Sequence, residues 1–180
     1  MSGPTPAPTF TLLAAYLLFV VAHRVFELGI SARNERALRA RGGYEVGRSH
    51  FWLFVVLHVA YPPALAAEVL GIGARPTHLW PLWTALLVAS VALRLAAHRA
   101  LGERWTARVW VLPGHPPLTR GAYQWLRHPS YLAVTIELAA GPLLFGAWRT
   151  AIGASAFNLV ALAIRIPIED RALAEAAARR

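Results

Sequence analysis

The 180-residue chain contains no cysteine, and each of its 18 basic residues is an arginine, with no lysine at all. Without thiols it has no disulfide scaffold, no thiolate metal site and no cysteine nucleophile, and its redox compartment is left undetermined. The missing lysine beside abundant alanine and arginine fits a GC-rich coding bias and carries no chemistry. Charge is scarce: 15% of residues are charged and 57% hydrophobic, against about 25% and about 45–50% in average soluble domains. That balance points to a membrane protein and excludes a disordered chain. No residue before Arg24 is charged, so the basic start of a cleaved signal peptide is missing. The first apolar run therefore reads as an uncleaved helix behind a short, proline-rich extended arm, MSGPTPAPT.

In place of charge the chain has long apolar runs. Residues 10–30 suffice, at about 1.5 Å per residue, to cross about 30 Å of hydrocarbon. Residues 49–67 are uncharged and hold Pro62 and Pro63, where a kink is expected. Residues 76–93 open a third helix, extended through Arg94 to Leu101. Residues 129–145 and 150–166, joined by GAWR, read as a tight helical hairpin near the lower length limit for a span. The fold class is thus an all-α integral membrane protein of about five transmembrane helices. It forms one domain, 1–180, with three spans in 1–101. The interfacial loop, the hairpin and a short C-terminal surface helix, DRALAEAAARR, follow in 102–180.

The formal charge of +9 does not imply nucleic acid, because the arginines gather in patches between the apolar runs. Arg33, Arg36, Arg39, Arg41 and Arg48 follow the first run, Arg99 to Arg127 supply five more, and Arg171, Arg179 and Arg180 lie in the tail. The other side holds only Arg75 and Arg149. By the positive-inside rule the N-terminus is outside and the C-terminus cytoplasmic.

Ionisable residues inside spans are costly and so are functional candidates. Arg94 and Glu137 fall at similar depth, where they either pair structurally or line a substrate pocket. Arg24 and Glu27, three apart at the end of the first helix, read as an interfacial pair. His23, His58 and His98 read as core or interface histidines, and no metal site is expected.

The cytoplasmic segment GERWTARVWVLPGHPPLTRGAYQWLRH (102–128) is too polar and too broken by Pro and Gly to span, yet rich in the Trp and Tyr that favour the headgroup level. It is expected to fold over the bundle end. Pro129 suits a first helical position, which leaves Arg127 and His128 at the mouth of the last helices. Arg165 and Glu169 stand four apart and share a face if the helix is continuous. Pro167 instead predicts a break at Ile166 with a new turn carrying Glu169 and Asp170.

HPPLTRGAYQWLRHPSY (115–131), the hydrophobic hairpin and RIPIED (165–170) together resemble the isoprenylcysteine carboxyl methyltransferase family, small membrane enzymes that use S-adenosylmethionine. WTARVWVLPG upstream is similar to its bacterial branch, which includes methyltransferases of alkylpyrones and related polyketide lipids. Eukaryotic members carry Gln at the position of Arg108 and Glu at that of Asp170. The resemblance implies a cofactor pocket lined by His115, Pro116, Pro117, Leu118, Tyr123, His128, Pro129, Ser130 and Tyr131, with Glu169 also holding S-adenosylmethionine. It implies that Arg165 is the catalytic residue facing the acceptor oxygen. Arg94 and Glu137 remain candidates for the substrate pocket, though the family does not assign them.

The expected reaction is O-methylation of a hydrophobic small molecule or lipid in the bacterial inner membrane, with membrane lipids but no nucleic acid as partners. Phospholipid amines and small thiols stay open as acceptors. A sterol-type reductase, suggested by the similar RHPSY, and a non-enzymatic helical membrane protein are the competing readings. The oligomeric state is not legible from hydropathy.

Overall fold

The computed structural model describes residues 7–178. Its helices follow the apolar runs: α1 (Ala7–Ala40), α2 (Phe51–Gly71), α3 (Trp80–Leu101), α4 (Pro129–Leu144) and α5 (Trp148–Ala178). Four of them, α1, α2, α3 and α5, are long and apolar enough to cross a membrane. The expected fifth crossing, α4, has 16 residues, about 24 Å at the helical rise, and packs between α3 and α5. The chain is an all-α integral membrane protein apart from two three-residue strands. Because the connections alternate, the last turns of α1, α3 and α5 and the first turns of α2 and α4 share one end of the bundle.

The core forms where apolar residues repeat at helical spacing. Leu57, Tyr61, Leu65 and Val69 lie along one face of α2 and pack with Leu13 of α1 and Leu138 of α4. That stripe runs unbroken past Pro62 and Pro63, and α2 stays helical through both.

Three expectations are corrected. The expected extended arm falls partly on residues 1–6, outside the described residues, and α1 is already helical at Ala7. Nor does α1 end at Ile30; it runs ten residues further, to Ala40. The extension is held by a polar face. Ser31, Asn34 and Leu38 are buried at i, i+3 and i+7, the Asn34 amide donates to the carbonyl of Trp105 at 2.8 Å, and Leu38 packs with Trp110 and Leu112.

The third concerns α5, which does not stop at Ile166, so the tail is its continuation and no separate helix. Proline inside a helix costs about 3 kcal/mol. Beyond Pro167, however, Ala172 and Ala176 are buried against Val109 and Val111, and the N–H of Gly114 donates to the Ala176 carbonyl at 2.9 Å.

An unexpected ribbon completes this end. β1 (Tyr44–Val46) pairs antiparallel with β2 (Val109–Val111), Tyr44 opposite Val111 and Val46 opposite Val109. At the other end, Glu68 caps α5. Its carboxylate accepts from the Arg149 N–H at 3.1 Å, the Thr150 N–H at 2.7 Å and the Thr150 hydroxyl at 2.6 Å, where a helix N-terminus favours negative charge. In the hairpin turn, Gly146 has φ 73° and lies against the Arg75 carbonyl, leaving no room for a Cβ.

Candidate active site

Two cavities meet at the ribbon end. One, of about 410 Å³, is roofed by the 102–128 segment and lined by Arg104, Arg108, Arg127, His128, Glu169 and Asp170 among others. The second, of about 500 Å³, lies inside the bundle behind mostly apolar walls that include Phe54, Val55, Val59, Val134 and Leu162. Trp105, Thr106, Ser130, Tyr131 and Arg165 line both.

Arg165 is the central group of the shared wall. Its Nε donates to the Tyr131 hydroxyl at 2.7 Å and its Nη2 to the Ala107 carbonyl at 2.8 Å. The Tyr131 hydroxyl donates in turn to Glu169. The guanidinium stacks over Phe54, with 5.0 Å to the ring centroid, and beside Tyr131 at 5.4 Å. These contacts fix the fork while leaving Nη1 without a partner among the described residues. The unbroken α5 is what puts Arg165 and Glu169 on one face, 3.8 Å apart.

Pro129 starts α4 as its first residue and is itself buried. It sets His128 against α5, where Nε2 lies 3.0 Å from Asp170 Oδ1. The His128 ring stacks on Tyr131 with centroids 5.1 Å apart. Of the residues expected at a cofactor, Pro117, Leu118, Tyr123, His128, Ser130, Tyr131 and Glu169 line the polar cavity. His115, Pro116 and Pro129 do not, Pro129 being buried at the start of α4. His115 closes a local turn on the Pro113 carbonyl, and the Pro116 carbonyl accepts from Arg104 at 2.9 Å, so that stretch steadies Arg104.

The cavity offers both signs of charge. Glu169 and Asp170 share the lining with Arg127, which has no partner among the described residues. Trp110 Nε1 is buried and without a hydrogen-bond partner. Burial pushes the Tyr123 phenol up to about 12, which keeps it a neutral donor.

Arg94 and Glu137 do pair, with Arg94 Nη2 2.8 Å from Glu137 Oε2. The hub of their network is Glu27. Arg94 Nη1 donates to both Glu27 oxygens at 3.0 Å, and Arg24 bridges Glu27 at 2.8 Å and Glu137 at 3.3 Å. His23 and His98 stand 3.8 and 3.6 Å from Glu27. The expected interfacial Arg24–Glu27 pair is therefore part of a buried four-charge cluster. Arg94 and Glu27 line the apolar cavity. Glu137 borders neither main cavity but a smaller one of about 330 Å³ near Tyr16 and His23.

The model of the isoprenylcysteine carboxyl methyltransferase family matches residues 83–175. The chain belongs to that family. An uncharacterized protein of Bacillus subtilis, YpbQ, is 34% identical over 92% of the chain and 97% of its own length. An uncharacterized protein of Haemophilus influenzae is 30% identical over 86% of the chain and 90% of its own length. No solved structure matches the chain. Membership makes it a membrane methyltransferase in kind. The family segment holds every residue lining the polar cavity except Leu38, whereas the apolar cavity also draws on α1 and α2, outside that segment.

Proposed function

We propose that the chain is an S-adenosylmethionine-dependent methyltransferase that O-methylates a hydrophobic acceptor, an isoprenylcysteine-like carboxylate or a polyketide lipid of the alkylpyrone kind. The observation that carries this is the common wall: Arg165 and Tyr131 face a charged cavity on one side and an apolar cavity on the other. Two substrates of opposite polarity, reacting where they touch, need such a wall. Proximity and exclusion of water supply most of the catalysis in a displacement of this type.

The polar cavity has the size of an ordinary cofactor pocket, and its donor set suits a molecule carrying both charges. Glu169 and Asp170 would offset the positive sulfonium and amine, Arg127 would meet the carboxylate, and Trp110 and Tyr123 would donate hydrogen bonds. S-adenosylmethionine bound there supplies an electrophilic methyl group. Arg165 holds the acceptor oxygen through its free Nη1, a planar donor that stays charged at any working pH. An oxygen nucleophile is favoured over a phospholipid amine because a guanidinium opposes an ammonium at the same point. The acceptor enters sideways between α1 and α2, where Val25 and Val59, both on the apolar cavity, are 64% and 68% exposed. The arginine distribution supports a cytoplasmic ribbon end and an external N-terminus by the positive-inside rule, and the relatives' sources favour a bacterial inner membrane.

Calorimetry of the detergent-purified chain with S-adenosylhomocysteine tests cofactor use. Micromolar binding, lost in Glu169→Ala, supports it, and no heat from the wild-type protein sinks it. Incubation of lipid extracts with methyl-labelled cofactor then identifies the acceptor by mass.

A further inference from the structure

The side of α3 turned away from the bundle ends in charge that nothing offsets. Ser90, Arg94 and Ala97 form the buried side of that helix. Val88, Ala92, Leu95 and Arg99 recur at i, i+4, i+7 and i+11, which sets them in one stripe on the opposite side. All four are exposed, Val88 at 64% and Leu95 at 42%. The stripe is thus apolar for about 10 Å and cationic where it reaches the ribbon end.

The 102–128 segment brings a second arginine to the same place. Its short 3-10 turn, Gly121–Gln124, packs on the last turn of α3. Gly121 has φ 60°, and a Cβ there would stand 3.1 Å from the Ala100 Cβ, so the two backbones run close together. Arg99 precedes Ala100 and Arg120 precedes Gly121, and the two arginines therefore leave adjoining backbone. Both are exposed and have no partner among the described residues. Arg41 and Arg120 both press like charge on the Arg104 guanidinium. The one acid between Arg99 and His128 is Glu103, which stands 3.7 Å from Arg41. Arginines gathered with so little to neutralise them attract an anion. Trp125, one residue beyond the turn and 82% exposed, marks the level as that of the headgroups, where tryptophan is favoured.

We infer that Arg99 and Arg120 bind the phosphate of an anionic phospholipid whose acyl chains lie along Val88, Ala92 and Leu95. Guanidinium forks suit phosphate oxygens. The apolar stripe below them selects a lipid over a soluble phosphate. The surplus of arginine selects an anionic headgroup over a zwitterionic one, whose ammonium it repels. Neither arginine lines a cavity described above, so this site is separate from the wall at Arg165 and stands whether or not methyl transfer is the reaction.

The test is native mass spectrometry of the full chain in detergent with equal amounts of phosphatidylglycerol and phosphatidylcholine bearing the same acyl chains. The wild-type protein is expected to retain one phosphatidylglycerol about tenfold more often than a phosphatidylcholine, and excess glycerol 3-phosphate is expected to leave that lipid in place. Arg99→Gln with Arg120→Gln abolishes the preference. Arg171→Gln, which removes an exposed arginine of α5, keeps it. Equal retention of the two lipids by the wild-type protein overturns the inference without reference to any variant. Displacement by glycerol 3-phosphate overturns it too, since the stripe would then contribute nothing and the patch would be a site for a soluble anion. So does a preference that survives the double change, or one that Arg171→Gln removes as completely, which would trace it to overall charge.

Discussion

Arg165 Nε and the Tyr131 hydroxyl are 2.7 Å apart, and that one hydrogen bond ties α5 to α4 in the wall shared by both cavities. Tyr131 accepts from the arginine and donates to Glu169, so the residue expected to hold the acceptor and the residue expected to hold the cofactor are braced by the same phenol.

Arg165→Ala is expected to lower turnover by about 10²–10³-fold, the usual loss when a donor aimed at the reacting oxygen is removed. Arg165→Lys recovers little, because a point charge does not reproduce the fork that engages Tyr131 and Ala107 together. S-adenosylhomocysteine affinity stays within a few-fold, since Glu169 and Asp170 are untouched. Rate measurements paired with calorimetry separate the two effects, and unchanged turnover would remove Arg165 from the chemistry.

Val59→Trp narrows the opening between α1 and α2 without reaching the polar cavity. The expected outcome is a KM for the lipid acceptor raised about tenfold or more with the cofactor's binding heat unchanged. Equal kinetics in Val59→Trp and the wild-type protein would mean that the acceptor enters elsewhere.

How much of this was readable beforehand depends on which physical signal each residue leaves in the sequence. Pro129 announces the start of α4 because its fixed φ and missing N–H suit one helical position. The apolar runs announce the spans because a hydrocarbon core demands length. The last ten residues of α1 are missed for the opposite reason: Glu27, Ser31 and Asn34 form a buried stripe of polar side chains, and hydropathy sees only charge. Their spacing at i, i+4 and i+7 was the available signal. The ribbon could not be foreseen, since three-residue strands show too little alternation to register. Pro167 misleads because the packing of Ala172 and Ala176 that outweighs it comes from a strand far away in the chain.

The site divides along the same line. Arg165, His128, Tyr131 and Glu169 came from the family resemblance, and the continuous α5 brings them together. Glu27 lies outside those motifs, on a helix whose neighbours the sequence alone does not name.

The buried charge cluster makes a test of stability. Arg94 is 1% exposed and contacts both Glu27 and Glu137. Arg94→Leu strands two carboxylates against Arg24 alone and is expected to destabilise by about 3–5 kcal/mol. Adding Glu137→Leu restores neutrality and should recover part of that loss, so the two changes are strongly non-additive in thermal unfolding. Additive losses would show that the pair is not coupled.

Glu68 provides a stability change that leaves the site alone. Its carboxylate takes two backbone N–H groups and the Thr150 hydroxyl at the start of α5, at the end of the bundle opposite Arg165. Glu68→Ala removes the cap and leaves the two Thr150 donors buried, for an expected loss of about 1–2 kcal/mol. Glu68→Gln keeps the acceptor oxygen but not the charge that the helix N-terminus favours, so it should fall between the two. If the capping account is right, thermal unfolding of the three proteins follows the order wild type, Gln, Ala, while S-adenosylhomocysteine affinity at temperatures below unfolding stays constant. An Ala variant as stable as the wild-type protein would show that α5 begins without help from α2, and a fall in affinity would show that the two ends of the bundle communicate through it.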